Sequence, residues 1–202
     1  MVSSKPIERR CAMNARDSIL GAVRTVSLPT FALPDDDAQS PLDVSAVARA
    51  FVAAARATAA EVIESDRGAI VDHLETITSG ATRILSAVRD VPSTVSADAG
   101  TGELARLELF VCEAILGVAE NGALWLPRSR LGPRAALFLA ERVVVAVHRS
   151  TLVADMHEAY RRIDPAAESF GAFVAGPSKT ADIEQSLVIG AHGPKRLTVL
   201  LL

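Results

Sequence analysis

Three pieces in the last third of the chain decide its class. They are Phe170-Gly171-Ala172-Phe173-Val174-Ala175-Gly176-Pro177-Ser178-Lys179-Thr180-Ala181-Asp182-Ile183-Glu184, then Gly190-Ala191-His192-Gly193-Pro194-Lys195, then Leu197-Thr198-Val199-Leu200-Leu201-Leu202. The order is an apolar run, a Gly-Pro-Ser turn, a polar amphipathic run, a His-Gly-Pro turn and a second apolar run. Both apolar runs are short and nearly unbroken, the pattern of strands covered on both faces in a parallel sheet. Gly176-Pro177 stops the first run. Ser178 or Thr180 is suited to cap a short helix, with Asp182 and Glu184 in its first turn, where carboxylates suit the helix dipole. The expectation is strand, turn, helix, turn, strand.

Working outward from there, the alternation continues. Ile19, Leu20, Val23 and Val26 recur at helical spacing and predict a first short helix over residues 14–25. Residues 27–41 hold three prolines and the run Asp35-Asp36-Asp37, and read as an exposed connection. Asp43 or Ser45 can cap the next helix, whose apolar stripe is Val44, Val47, Ala48, Phe51, Val52 and Ala55. Strands are expected at 59–64, 83–88 and 142–147, and helices at 66–79 and 151–163. The fold class is α/β: a single domain with a mainly parallel central sheet flanked by helices. Its expected extent is residues 43–202, preceded by the N-terminal helix and connection of residues 1–42.

Composition narrows the function. The chain has 202 residues, 50% of them apolar, enough for one substantial core and against disorder. The net charge is -3 and aromatic residues make up 4%, so neither a basic surface nor stacking platforms support nucleic-acid binding. Cys11 and Cys112 are the only cysteines and lie far apart. That excludes a CxxC metal site and a self-contained cysteine-ligated iron–sulfur cluster. The histidine spacing suggests no metal site. The expectation is that this chain alone binds no cofactor. No apolar run reaches ~18 residues and no signal-peptide core follows the N-terminus, so no membrane span is expected and the cytoplasm is the expected compartment.

Residues that could carry chemistry cluster on turns. In Val118-Ala119-Glu120-Asn121-Gly122-Ala123-Leu124-Trp125-Leu126, Asn-Gly is a hairpin signal that puts Glu120 at the junction of two strands. Glu120 is then either an exposed, rigid nucleophile or base, or a solvated turn glutamate. Ser178, Lys179 and Thr180 combine hydroxyls, an ammonium and free N–H groups, a set suited to a small carboxylate or phosphate. The alternative is a capped helix with a surface lysine. His192 could act as a general acid–base with Asp182 as partner, or bond a nearby carbonyl. Glu113 interrupts an apolar run, so it is at a strand end or buried with a partner. His148 falls at the carboxyl end of the strand at 142–147. Gly100-Thr101-Gly102 lacks the lysine and strand–helix context of a P-loop.

The run Gly176–Glu184 (GPSKTADIE), followed by GAHGPK and an apolar strand, resembles the ending of the lactate-utilization protein C, or LUD domain, family. The Ala119-Glu120-Asn121-Gly122 run sits where that family carries Ala-Glu-Thr-Gly-Thr. Asn121 and Ala123 depart from it. The resemblance implies a fold like the ribose-phosphate isomerase and coenzyme A transferase superfamily. It also implies a part in bacterial lactate (2-hydroxy acid) utilization beside iron–sulfur partner proteins that carry electrons. Ala-Glu-Asn-Gly is also similar to the Ser-Glu-Asn-Gly motif of class I coenzyme A transferases, whose glutamate accepts the acyl group. That likeness implies an alternative function in acyl transfer by Glu120, with Asn121 as a ligand contact. A further alternative is a non-catalytic anion-binding regulator.

Overall fold

The computed structural model describes residues 14–26, 43–65, 69–164, 166–180 and 188–202. The chain divides into two compact units, Met1–Gln39 and Ser40–Leu202. Of the first, the described part is helix α1 (Ala15–Arg24), capped by Asn14, whose side chain accepts from the Arg16 N–H at 3.2 Å. Asp35, Asp36, Asp37 and Cys11 lie outside the described residues.

The second unit begins with α2 (Val44–Ala57) and β1 (Glu61–Glu64), then α3 (Leu74–Thr78), β2 (Ile84–Ser86) and α4 (Thr101–Leu104). Next come β3 (Leu109–Glu113), β4 (Leu116–Val118), β5 (Ala123–Pro127), α5 (Ala136–Leu139) and β6 (Arg142–Val147). It closes with β7 (Leu152–Val153), α6 (Met156–Arg162), β8 (Gly171–Val174), β9 (Lys179–Thr180), β10 (Val188–Ile189) and β11 (Arg196–Leu201).

Five strands form the central sheet in the order β1-β11-β6-β3-β2, and every neighbouring pair is parallel. Side chains alternate across it with a period of two. Phe110, Cys112, Val143, Val145, Leu197 and Val199 face one core, which includes the stripe Val47, Ala48, Phe51, Val52 and Ala55 of α2. Leu109, Val111, Val144, Ala146 and Leu200 face the other, together with Ile70 and Ile77. Cover on both faces is why β6 and β11 read as continuous apolar runs. The expected strand at 142–147 and the final strand stand as read.

A second sheet has the order β7-β4-β5-β8. Its strands β4, β5 and β8 run antiparallel in turn, while β7 joins β4 in parallel. Leu124, Leu126 and Leu152 join the core around Phe51, while Leu116, Val118, Trp125 and Val153 pack with Ala159 of α6.

Several local readings change. The strand at 170–175 is β8, half-buried and antiparallel to β5 in the second sheet, not a fully covered parallel strand. Residues 179–180 do not open a helix. They form β9, which pairs antiparallel with β10 (Thr180 with Val188), so Ser178 is not a helix cap, while a helix starting after Thr180 would lie outside the described residues. The helix expected at 151–163 is confined to α6, because Leu152–Val153 are drawn into pairing with β4. The helix expected at 66–79 is a 3-10 turn, Ile70–His73, running into the short α3. The loop between β4 and β5 is four residues long, and its Gly122 N–H returns to Val118 O at 2.9 Å.

Candidate functional site

Parallel α/β sheets bind ligands at the carboxyl ends of their strands. Here Glu113 is the last residue of β3 and His148 the first after β6. The register sets Glu113 beside Ala146, so His148 lies two residues further along on the same face. His148 Nε2 is 3.4 Å from Glu113 Oε1. The other carboxylate oxygen accepts from Arg130 Nη1 at 2.9 Å. Arg130 comes from the 3-10 turn Arg128–Arg130, directly after β5.

That turn is held from outside. The Ser129 hydroxyl donates to Glu168 Oε1 at 2.6 Å, and the Arg128 N–H donates to Phe170 O at 2.8 Å. Both partners belong to the segment entering β8, so the second sheet positions Arg130 over the end of the first.

The three side chains border a cavity of about 560 Å³, whose wall also carries Arg89, Asp90 and Ser129. Glu113 is 30% exposed, His148 43% and Arg130 54%, so solvent and ligands reach all three. The contact between the ring and the Glu113 carboxylate is an ion pair when the imidazole is protonated. Arg130 offers a planar fork matched to a carboxylate. Behind Glu113, Cys112 is fully buried, and burial together with the Glu113 carboxylate pushes its thiol pKa up.

The residues singled out from sequence are distributed differently. Glu120 lies on the β4–β5 loop, where its carboxylate accepts from the Met156 N–H at 3.1 Å, at the first turn of α6. Asn121 Oδ1 accepts from the Ala123 N–H at 3.0 Å and shapes the same loop. Ser178 is joined to the His192 loop: its N–H donates to Pro194 O and its carbonyl accepts from the Gly190 N–H, both at 2.9 Å. Lys179 Nζ donates to Thr58 O, the C-cap of α2, where a cation suits the helix dipole. Gly176 approaches the same cap: φ is +71°, and a Cβ there would lie 2.1 Å from Thr58 O. Thr180 belongs to β9, and Asp182 lies outside the described residues.

His192 lines a different cavity, about 640 Å³, with Arg106, Glu108, Phe138, Glu141 and Lys195. It lies where β3, β6 and β11 begin, at the amino edge of the central sheet. The structure thus brings Ser178 to the His192 loop, while Lys179 and Glu120 are engaged elsewhere. Sequence reading placed His148 at a strand end and left Glu113 either at a strand end or buried with a partner, and it did not join the two. It left Arg130 in a basic turn, because nothing local signals where that turn packs.

Among the described residues, no group of three or more His, Cys, Asp or Glu side chains is placed to hold a metal ion. No described helix is long and apolar enough to cross a membrane.

Residues 43–202 match the LUD domain family. Over 91 residues the chain is 37% identical to lactate utilization protein C of Bacillus pumilus (strain SAFR-032), covering 42% of this chain and 38% of that protein. Over 100 residues it is 36% identical to lactate utilization protein C 1 of Bacillus mycoides (strain KBAB4), covering 46% and 43%. The matches span about two fifths of the length of these relatives. A solved structure of a DUF162 family protein from Deinococcus radiodurans superposes with a TM-score of 0.58 at 18% identity, over 80% of this chain and 99% of that one. At that identity the likeness speaks for the fold alone.

Proposed function

The chain belongs to the LUD domain family, and on that premise we propose that it serves lactate utilization by binding a small 2-hydroxy acid in the crevice of Glu113, Arg130 and His148. The names of its relatives support the metabolic setting. One observation carries the choice of site: a cation, a carboxylate and an imidazole meet around one cavity at the carboxyl edge of the parallel sheet.

Each group has a part. Arg130, with Arg89 on the same wall, holds the ligand carboxylate. His148 takes the proton of the 2-hydroxyl group, and the Glu113 carboxylate beside the ring steadies the charge that forms. Oxidation of lactate to pyruvate also breaks the C2–H bond, releasing a second proton to solvent and two electrons. We assign the electrons to iron–sulfur partner proteins, because two cysteines are too few for a self-contained cysteine-ligated cluster in this chain.

Calorimetric titration with L-lactate and with pyruvate tests the reading. Arg130→Ala is expected to weaken binding about tenfold, the lower end of a charge-assisted contact because the guanidinium is half exposed. His148→Gln is expected to weaken lactate binding more than pyruvate binding, because only lactate carries the 2-hydroxyl group. Equal affinity in wild type and Arg130→Ala would remove the assignment.

A further inference from the structure

Resting on the carboxylate-binding reading above, we infer that the preferred ligand is a 2-hydroxy acid with an apolar side chain larger than the methyl group of lactate. A second, apolar compartment behind Arg130 receives that side chain. The first cavity, at about 560 Å³, is already of a size that takes ligands much larger than lactate. A second cavity of about 230 Å³ adjoins it. The two share Ala87, Ser129 and Arg130 as walls.

The characters of the two spaces differ. The first carries Glu113, His148, Arg89 and Asp90. The second is bounded by Leu85, Phe110, Leu131 and Pro133, and its only charged wall is Arg130 itself. Leu85, Phe110 and Leu131 are buried to 2% exposure or less, so they form a fixed apolar floor. Arg130 is the partition: its guanidinium is turned to Glu113, and its aliphatic stem can line an apolar space. The other shared walls, Ala87 and Ser129, have short side chains. A carboxylate held in the fork of Arg130 therefore stands beside an apolar space that the methyl of lactate would leave unfilled. Each methylene buried there strengthens binding by about fourfold.

The test compares L-lactate with L-2-hydroxy-4-methylpentanoate by calorimetry on the full chain and on Ala97→Trp. Ala97 is exposed and lines the second compartment but not the first, so the substitution fills that space without disturbing the ionic site. The expected result is that wild type binds the branched acid at least about tenfold more tightly than lactate. In Ala97→Trp the preference is lost and lactate affinity is unchanged. Lactate binding with no preference for the branched acid overturns this inference and leaves the carboxylate site standing. A preference that survives Ala97→Trp overturns the compartment and points to the Ile70–Val71 wall of the first cavity. Binding of neither acid overturns the reading on which the inference rests.

Discussion

Cys112 and Glu113 are neighbours on β3 and face opposite sides of the central sheet. The strand period sends the thiol into the core and the carboxylate to the cavity. Burial disfavours the thiolate, and the adjacent Glu113 charge disfavours it further. The thiolate is the reactive form, so Cys112 is expected to be inert in the folded protein. In a Cys11→Ser variant, a disulfide-exchange reagent should label no thiol under native conditions and one per chain in denaturant. Rapid native labelling would mean that the core around β3 opens far more readily than its packing implies.

At the scale of elements, α2 is the piece that ties the two sheets together. Phe51 is fully buried beneath the second sheet, and a Cβ on Gly117 of β4 would lie 2.9 Å from its ring and 2.8 Å from Leu152 Cδ2. Those neighbours are side-chain atoms and can shift. Gly122 meets something harder: φ is +69°, and a Cβ there would lie 2.5 Å from the backbone nitrogen of Ala55. Neither the left-handed conformation nor the helix backbone can give way cheaply. Gly122→Ala is therefore expected to destabilise by about 2–4 kcal/mol, and Gly117→Ala by about 1–2 kcal/mol. Urea unfolding of the two variants checks the order, and a reversed order would show that the loop tip does not bear on α2. The same loop carries Glu120, so its carboxylate stands at the start of α6 by virtue of how the hairpin seats on α2.

Across the whole molecule, the path of the chain explains why the two faces of the sheet are dressed differently. From β2 the chain steps to β3, β6 and β11, each time to the next position in one direction, whereas β1 to β2 crosses the sheet the other way. Crossovers of one hand that travel in opposite directions lie on opposite faces. Hence Ile70 and Ile77 cover one face. Leu104, Leu137 and the second sheet cover the other, with α2. The strands β3, β6 and β11 are covered on both sides and flanked by neighbours, so their amides should exchange last in deuterium exchange. The short pairs β9–β10 and β7–β4 should exchange first. Comparable protection in β9 and β11 would contradict this layering.

Much of this was written locally. The unbroken apolar runs at Arg142–Val147 and Leu197–Leu202, the capped start of the helix at Asp43 or Ser45 and the hairpin around Asn121-Gly122 are all read from residues that act on their own neighbours. His148 was likewise visible at the carboxyl end of a strand, and a strand end was one of two readings of Glu113. The sequence by itself therefore determined the class, the central strands β1, β2, β6 and β11 and the family. Tertiary structure alone decided the rest. A short apolar run such as Gly171–Val174 suits either sheet, and its membership depends on finding β5 some 45 residues away. Lys179–Thr180 became strand rather than helix because β10 offered an edge, a partner that no local propensity encodes. Arg130 reaches Glu113 only because Glu168 and Phe170 hold its turn. Local residues select a conformation; which side chains meet depends on strand register and on contacts between distant segments, and those exist only once the chain has closed.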